Sequence, residues 1–199
     1  MLSDVDDVDA PGDKREQILR EAQKLFAERG YRETNLTEVA ERMGFRRQAI
    51  YHYFKSKDEI LEEHIFRAGQ ALEESANPIF DSDLAPSEKL AALVRNHVEQ
   101  VLRDASVFRI QFEELDKMTD ERGASLRAAR DEYARRVAAV IADGQASGEF
   151  VEIPPMTQAL LVIGMCNWTI EWYGPASHMT VTEVANYAAR AAVFGARIT

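Results

Sequence analysis

The chain has 199 residues, of which 46% are apolar, and its formal net charge is −10 at pH 7. This length suits one medium-sized domain or a small domain joined to a larger one, with enough apolar residues for a substantial core. The single cysteine, Cys166, excludes an intramolecular disulfide and favours a reducing, cytoplasmic setting. The aspartate-rich start lacks the features of a signal peptide, and no apolar run approaches the roughly 18 residues of a membrane span, so no membrane partner is expected.

The charge is unevenly distributed along the chain. Residues 14–57 contain 11 Lys and Arg against 6 Asp and Glu, a balance of +5, whereas the rest contains 13 basic and 28 acidic residues, a balance of −15. Net acidity alone argues against nucleic acid as a partner. A basic amino-terminal head on an acidic body, however, is typical of a protein that docks on DNA by one end only.

Residues 1–12 are acidic and poor in large apolar side chains, so we expect a disordered acidic arm. A solvated tail is the simpler interpretation, and an arm that competes with DNA phosphates is the alternative. Asp13 is suited to cap a first helix from Lys14 to Arg29, which Gly30 would end.

The stretch from Asn35 to Lys57 predicts two short helices joined by a tight turn. Asn35 is suited to cap the first of them, with Glu38 completing a capping box, and Gly44 permits the left-handed backbone that ends it. The second helix is expected from about Arg46 to Phe54. Side chains able to grip phosphates and read base edges share its outward face, namely Arg47, Gln48, Tyr51 and His52. This is the chemistry of a helix-turn-helix.

The same stretch resembles the DNA-binding domain of the TetR family of transcriptional regulators over about 45 residues. The runs that carry the resemblance are Thr34-Asn35-Leu36, Val39-Ala40, Gly44-Phe45-Arg46, Ile50-Tyr51-His52-Tyr53-Phe54 and Lys57-Asp58. Arg46 stands in place of the usual serine, and Tyr53 stands where histidine is common. The resemblance implies that Lys57 touches phosphate. The expected DNA-contacting residues are Asn35, Thr37, Arg46, Arg47, Gln48, Tyr51, His52, Tyr53 and Lys57.

The rest of the chain shows helical periodicity and no alternating strand pattern of useful length. A fourth helix is expected from Ser56 or Lys57 to about Ser75, and Asn77-Pro78 then breaks the pattern. Further helices are expected at 86–103, 106–118, 120–147, 155–173 and about 180–195. The prediction is an all-α, nine-helix protein with a helix-turn-helix head at 13–57 and an effector-binding and dimerisation domain at 58–199.

No pattern for catalysis or metal binding emerges. The four histidines, which are His52, His64, His97 and His178, lack metal-ligand spacing. Gly123-Ala124-Ser125 lacks the second glycine of a nucleophile elbow, and no phosphate-binding glycine loop is present. We therefore expect no enzyme, no cofactor and no metal.

Aromatic and methionine side chains of the body are the candidates for a ligand cavity. Each of them taken singly is more simply explained as ordinary core, and for His97 a satisfied core histidine is favoured over a ligand contact. The family resemblance nevertheless implies a pocket for a small apolar or amphipathic effector. The expected lining is His97, Phe108, Phe112, Tyr133, Met165, Trp168 and Trp172.

A second resemblance lies in the carboxyl-terminal third. The run 144–150, followed by Gly164-Met165, Asn167-Trp168, Trp172-Tyr173 and Pro175, is similar to TetR-type regulators of fatty-acid and sterol breakdown, which sense acyl-CoA thioesters. Glu171 stands where arginine is common in that group. The pocket is therefore expected to prefer an uncharged or cationic apolar compound.

The last two helices are rich in small residues, and the resemblance implies that they pair with a second copy in a four-helix bundle: Gly164, Ala185, Ala188, Ala189, Ala191, Ala192 and Gly195. A dimer would place two heads on successive major grooves, about 34–36 Å apart. The sequence thus indicates a homodimeric regulator, expected to be a repressor, that a small apolar or acyl-CoA-like effector releases from a palindromic operator in double-stranded DNA. The alternative is a helical small-molecule-binding protein or enzyme with a vestigial head.

Overall fold

The computed structural model describes residues 11–174 and 176–196, with side chains from Lys14 onwards. These residues form nine α-helices and no β-sheet, which confirms the predicted all-α architecture. The helices are α1 (Pro11–Arg29), α2 (Leu36–Arg42), α3 (Arg47–Ile50), α4 (Lys57–Phe80), α5 (Pro86–Arg103), α6 (Ala105–Glu114), α7 (Glu121–Ala146), α8 (Pro155–Trp172) and α9 (Val181–Ala196). A 3₁₀ turn, Leu115–Lys117, follows α6. The chain divides into two compact units, one ending at His64 and the other beginning at Ile65.

The helix-turn-helix of the first unit forms as its caps predict. The Asn35 side-chain oxygen accepts hydrogen bonds from the backbone N–H groups of Thr37 and Glu38 at 2.9 and 3.1 Å. The Glu38 carboxylate accepts in return from the Asn35 N–H at 3.2 Å, so the predicted capping box is present. Gly44 has a φ of +69°, in the left-handed region that the turn requires.

Buried side chains from all three helices and from the start of α4 form the core of this unit. The largest of them are Ile18, Leu19, Leu25, Phe26, Val39, Ile50, Phe54 and Ile60. Ile50 and Phe54 are both fully buried, so they hold the recognition segment to the core and turn its other side outward.

Three predicted helix boundaries differ from the structure. α1 begins at Pro11, inside the predicted arm, and residues 1–10 lie outside the described part of the chain. α3 ends at Ile50, and the chain continues to Tyr53 in tight turns in which the N–H groups of His52 and Tyr53 bond three residues back. The segment that follows α5 ends as an α-helix at Glu114 rather than at Met118.

The fourth helix also runs further than predicted, passing through Pro78 and ending at Phe80. A proline removes one backbone hydrogen bond from a helix interior. Here Ala76 is fully buried, and Ile79 and Phe80 pack against the core of the second unit. Tertiary packing therefore outweighs the local signal that led us to end this helix at Ser75.

The core of the second unit is built around α5, which packs against α7, α8 and α9. The predicted stripe of α5 is buried, including Leu90, Leu93, Val94 and Val98. Within the described ranges, no helix combines the length and the apolar character that crossing a membrane would require.

The small residues of α9 have a different role from the predicted one. Four of them, Ala185, Ala188, Ala189 and Ala192, are buried in the core of the second unit, where α9 packs on α5. Their small size serves close helix packing inside one subunit. Of the small α9 residues expected at a dimer interface, only Ala191 and Gly195 are exposed in the described chain.

Candidate functional site

The outward side of the recognition segment carries polar and aromatic side chains. Arg46, Arg47, Gln48, Tyr51 and His52 are all exposed, and Tyr53 is half-buried. The Arg47 guanidinium lies 5.9 Å from the centre of the Tyr51 ring, within the range of a cation–π contact. The structure thus brings together on one surface the residues that the sequence grouped there.

Arg46 and Arg47 on this surface differ from Arg29 and Arg42 of the same unit in having no carboxylate partner among the described residues. Arg29 and Arg42 form ion pairs with Glu38 and Glu28 at 3.3 and 2.9 Å. Neither Arg46 nor Arg47 forms an ion pair with any side chain that the structure describes. An exposed guanidinium without a carboxylate partner can bind a phosphate directly, because no ion pair within the protein has to break first.

Two other predicted DNA-contacting residues, Asn35 and Lys57, have structural roles within the unit. Asn35 caps α2, and the backbone N–H of Thr37 is one of the groups that it caps. The Lys57 ammonium lies 2.9, 2.9 and 3.0 Å from the backbone oxygens of Tyr31, Arg32 and Thr34, to which it donates hydrogen bonds. It also lies 4.7 Å from the centre of the Tyr31 ring. All three N–H donors of Lys57 are thereby engaged with the turn that precedes α2.

The second unit contains a cavity of about 430 Å³. Residues of α4, α5, α6, α7 and α8 line it, including four of the seven predicted effector-contacting residues, which are His97, Phe108, Phe112 and Tyr133. The volume is in the range of small-molecule sites, roughly 300–1,000 Å³.

A polar network reaches into this mainly apolar cavity. The His97 Nε2–H donates to Asn167 Oδ1 at 2.8 Å, because an amide oxygen can only accept. The other ring nitrogen, Nδ1, then accepts from the Tyr133 hydroxyl at 3.2 Å. Burial lowers the pKa of His97 to about 4, against a smaller opposing effect of the Asn167 hydrogen bond. The ring is therefore neutral at pH 7, and His97 is both a satisfied core histidine and part of the lining.

Met165, Trp168 and Trp172 do not line this cavity. The lining residues of α8 are Leu160, Ile163, Gly164 and Asn167, at the spacing of one helical face. Leu161, Met165, Trp168 and Trp172 occupy another face, where Trp168 is 66% and Trp172 is 52% exposed. The prediction selected large apolar residues of α8, and such residues occur on both faces of the helix, so size alone did not identify the face that lines the cavity. The i, i+3, i+4, i+7 spacing of the true lining is a signal that could have revealed Asn167.

The charges around the cavity are balanced. Arg130 pairs with Asp116 and Asp131 at 3.4 Å each, and Arg136 donates to Asn77 Oδ1 at 2.6 Å with the Glu73 carboxylate 3.9 Å away. Nearby but outside the lining, Arg109 faces Glu171 at 3.7 Å and donates to the Ile170 backbone oxygen at 2.6 Å. Among the described residues, no group of three His, Cys, Asp or Glu side chains is arranged to hold a metal ion.

Two family models match the chain. Residues 18–64 match "Bacterial regulatory proteins, tetR family", and residues 83–196 match "Tetracyclin repressor-like, C-terminal domain". The chain therefore belongs to the TetR family, and its function class is that of a DNA-binding transcriptional repressor. Regulators of this family bind operator DNA, form dimers and bind small-molecule effectors, and the proteins of the family are regulators rather than enzymes.

Particular relatives are similar over most of the chain. The HTH-type transcriptional repressor KstR2 of Rhodococcus jostii is 28% identical over 182 residues, which are 90% of this chain and 89% of that protein. A TetR/AcrR-family regulator from Thermobifida fusca is 30% identical, covers 94% of this chain and 100% of its own, and superposes with a TM-score of 0.74. AibR, solved in complex with isovaleryl coenzyme A and operator DNA, shares the fold with a TM-score of 0.81 at 22% identity, over 92% of this chain and 99% of that one.

Proposed function

We propose that this protein represses transcription by binding a palindromic operator as a homodimer, and that a small, largely apolar effector in the cavity of the second unit releases it. The observation that carries the proposal is the exposed surface of the recognition segment, in which Arg46 and Arg47 have no carboxylate partner within the described part of the chain. A protein that reads operator DNA in this way works in the cytoplasm.

On this proposal the DNA contacts are made by Thr37, Arg46, Arg47, Gln48, Tyr51, His52 and Tyr53. The two guanidinium groups are suited to phosphates or to guanine edges, and the amide of Gln48 is suited to adenine. Asn35 and Lys57 act differently, by setting the position of α2 and of the turn before it. This division follows from the hydrogen bonds that Asn35 and Lys57 already make.

We infer that the second copy covers the exposed apolar faces of α8 and α9. Leu161 and Trp168 on α8 are each 66% exposed, and Phe194 on α9 is 78% exposed. Side chains of this size, exposed together on neighbouring helices, form an apolar surface that single soluble chains rarely leave uncovered. A dimer also doubles the contact made by a recognition helix of a single turn.

Release requires that the effector bind the DNA-incompetent arrangement more tightly than the competent one, since a ligand shifts an equilibrium only by its differential affinity. α4 supplies cavity-lining residues from Ile65 to Glu73, and the same helix begins at Lys57. It is therefore the element through which we expect occupancy of the cavity to influence the head.

Selection of bound sequences from random DNA tests the proposal directly. We expect a palindrome, because two symmetry-related heads read two half-sites. Binding of the selected duplex should fall steeply with salt, since neutralised phosphates release counterions. We expect Arg47→Ala to weaken binding at least tenfold in gel-shift titration, and Arg29→Ala, which removes an exposed cation already paired with Glu38, to change it much less.

Two results would count against the regulator. Selection that returns no enriched sequence, together with weak salt-independent binding, favours the alternative of a small-molecule-binding protein with a vestigial head. Equal affinities of the wild type and Arg47→Ala would instead refute the assigned contact surface.

A further inference from the structure

A surface groove between the start of α5 and the end of α9 is separate from the cavity. It has a volume of about 530 Å³, and none of its lining residues also lines the cavity. Small or apolar side chains form much of its surface, namely Ala91, Ala189, Ala191, Val193 and Phe194. The volume is in the range of small-molecule sites, roughly 300–1,000 Å³. Neither the DNA contacts nor the release by an effector in the cavity makes use of this groove.

Two arginines line the groove without a partner in the described chain. Arg95 of α5 is half-buried and Arg190 of α9 is exposed, and neither forms a hydrogen bond or an ion pair with a described residue. Arg109 of the same unit, by contrast, faces the carboxylate of Glu171 at 3.7 Å. A half-buried guanidinium has lost part of its hydration, so leaving it without an acceptor is unfavourable.

The fold places the two guanidinium groups at a similar level of the groove. The segment 149–151 accepts a hydrogen bond from the Ser87 N–H at 3.2 Å and donates one to the Ala196 backbone oxygen at 2.7 Å. The start of α5 therefore lies beside the end of α9, and the two helices, which pack against each other, run in opposite directions. At 1.5 Å per residue, Arg95 lies about 12 Å along α5 from that end and Arg190 about 9 Å along α9.

One carboxylate, that of Glu88, also lines the groove. It belongs to the first turn of α5, about 10 Å along the helix from Arg95, and it forms no ion pair with either arginine. An exposed charge at that distance is largely screened at physiological salt, where the Debye length is about 8 Å. The groove therefore has a cationic part, at Arg95 and Arg190, beside an apolar surface.

The helices that we expect at the dimer interface offer no free carboxylate to this cationic part. Glu171 of α8 faces Arg109, and Glu183 of α9 accepts hydrogen bonds from the backbone N–H and the hydroxyl of Thr180 at 2.8 and 2.9 Å. A guanidinium binds carboxylate or phosphate oxygens through charge-assisted hydrogen bonds, often in pairs. Two such groups beside an apolar surface therefore suit a small organic anion better than a second copy of the chain.

We propose that this groove binds a small organic anion, with the carboxylate or phosphate held by Arg95 and Arg190 and the apolar part placed against Val193 and Phe194. The groove is then a second ligand site, distinct from the effector cavity. It goes beyond the proposed function, because it depends neither on DNA binding nor on release by the effector.

Two dyes with the same anilinonaphthalene skeleton test the anionic group: 8-anilinonaphthalene-1-sulfonate and the neutral N-phenyl-1-naphthylamine. Fluorescence titration of the full chain gives the affinity for each. We expect Arg95→Gln and Arg190→Gln each to weaken binding of the sulfonate about tenfold and to leave binding of the neutral dye unchanged. Decanoate and decyl phosphate should displace the sulfonate from the wild type, and their relative affinities identify the preferred anionic group. The neutral 1-decanol should not displace it.

Arg103→Gln provides the matched control. Arg103 is an exposed arginine on the same helix as Arg95, and it does not line the groove. The variant removes the same charge from α5 and should bind both dyes as the wild type does. Arg190→Gln changes an exposed side chain, so the comparison remains decisive if Arg95→Gln does not fold.

Three results would overturn the proposal. The first is equal affinity of the wild type and the two groove variants for the sulfonate. The second is displacement of the sulfonate by 1-decanol but by neither decanoate nor decyl phosphate. The third is conversion of the groove variants to monomers with an unchanged affinity for the sulfonate, which would assign the groove to the subunit interface. The regulator is tested separately by the DNA selection, because none of these measurements includes DNA.

Discussion

Lys57 provides the sharpest test of how the head is built. The resemblance to the family implies that this lysine contacts phosphate, whereas the structure engages its ammonium with the backbone oxygens of Tyr31, Arg32 and Thr34. We predict that Lys57→Met, which keeps the length of the side chain and removes the charge, acts on stability rather than on the number of phosphates bound.

The magnitude follows from these contacts. A hydrogen bond to a charged group contributes about 1.5–3 kcal/mol when buried. Lys57 is half-buried, so water replaces part of the loss, and we expect the three bonds and the contact with the Tyr31 ring to contribute about 2 kcal/mol together. For a unit of this size that corresponds to a fall of roughly 8–16 °C in the unfolding midpoint.

Two measurements separate the roles. Thermal unfolding followed by circular dichroism gives the change in midpoint, and operator affinity measured over a range of salt at low temperature gives the number of phosphates neutralised. Each phosphate contact contributes about 0.9 to the slope of log K against log salt, so losing one in each subunit of a dimer lowers that slope by about 1.8. We expect the slope to stay unchanged in Lys57→Met and to fall in Arg47→Ala.

The result that would refute the structural role is clear. If Lys57→Met unfolds within about 2 °C of the wild type and its salt slope falls by about 1.8, the lysine leaves the turn and binds DNA. Lys55→Met, at an exposed neighbouring lysine, controls for removing a nearby positive charge and should leave the unfolding midpoint unchanged.

Three further predictions concern the second unit. Because the pKa of His97 is about 4 in the folded chain and 6.5 in the reference state, the unfolded chain binds the extra proton first as pH falls, and stability is lost from pH 6.5 down to 4. Between pH 8 and pH 5, the free energy of unfolding should fall by about 2 kcal/mol more in the wild type than in His97→Gln, as measured by denaturant unfolding. Gly144→Ala would place a methyl group against the Phe150 ring, closer than van der Waals contact allows, and should destabilise by about 1–3 kcal/mol, part of which Phe150→Leu restores in a double variant. Phe194→Glu should yield monomers in light scattering after size exclusion, whereas Leu84→Glu, at an exposed loop position, should not.

Much of the fold was predictable because its signals are local. The capping box of Asn35, the left-handed glycine at position 44 and the apolar periodicity of each helix act over a few residues, and the structure contains all of them. The grouping of Arg47, Gln48, Tyr51 and His52 on one outward surface likewise follows from the spacing of residues along one turn.

Only the tertiary structure decided which of several equally apolar faces meets which neighbour. Leu160, Ile163 and Asn167 line the cavity while Trp168 and Trp172 face outward, although both faces of α8 are apolar. The same holds for the alanines of α9, which pack inside the subunit, and for Pro78, which packing retains in a helix. Lys57 likewise donates a hydrogen bond to the backbone of a turn 25 residues earlier in the chain. Periodicity by itself defines the faces of a helix, but the direction in which each face points depends on contacts between residues far apart in the chain.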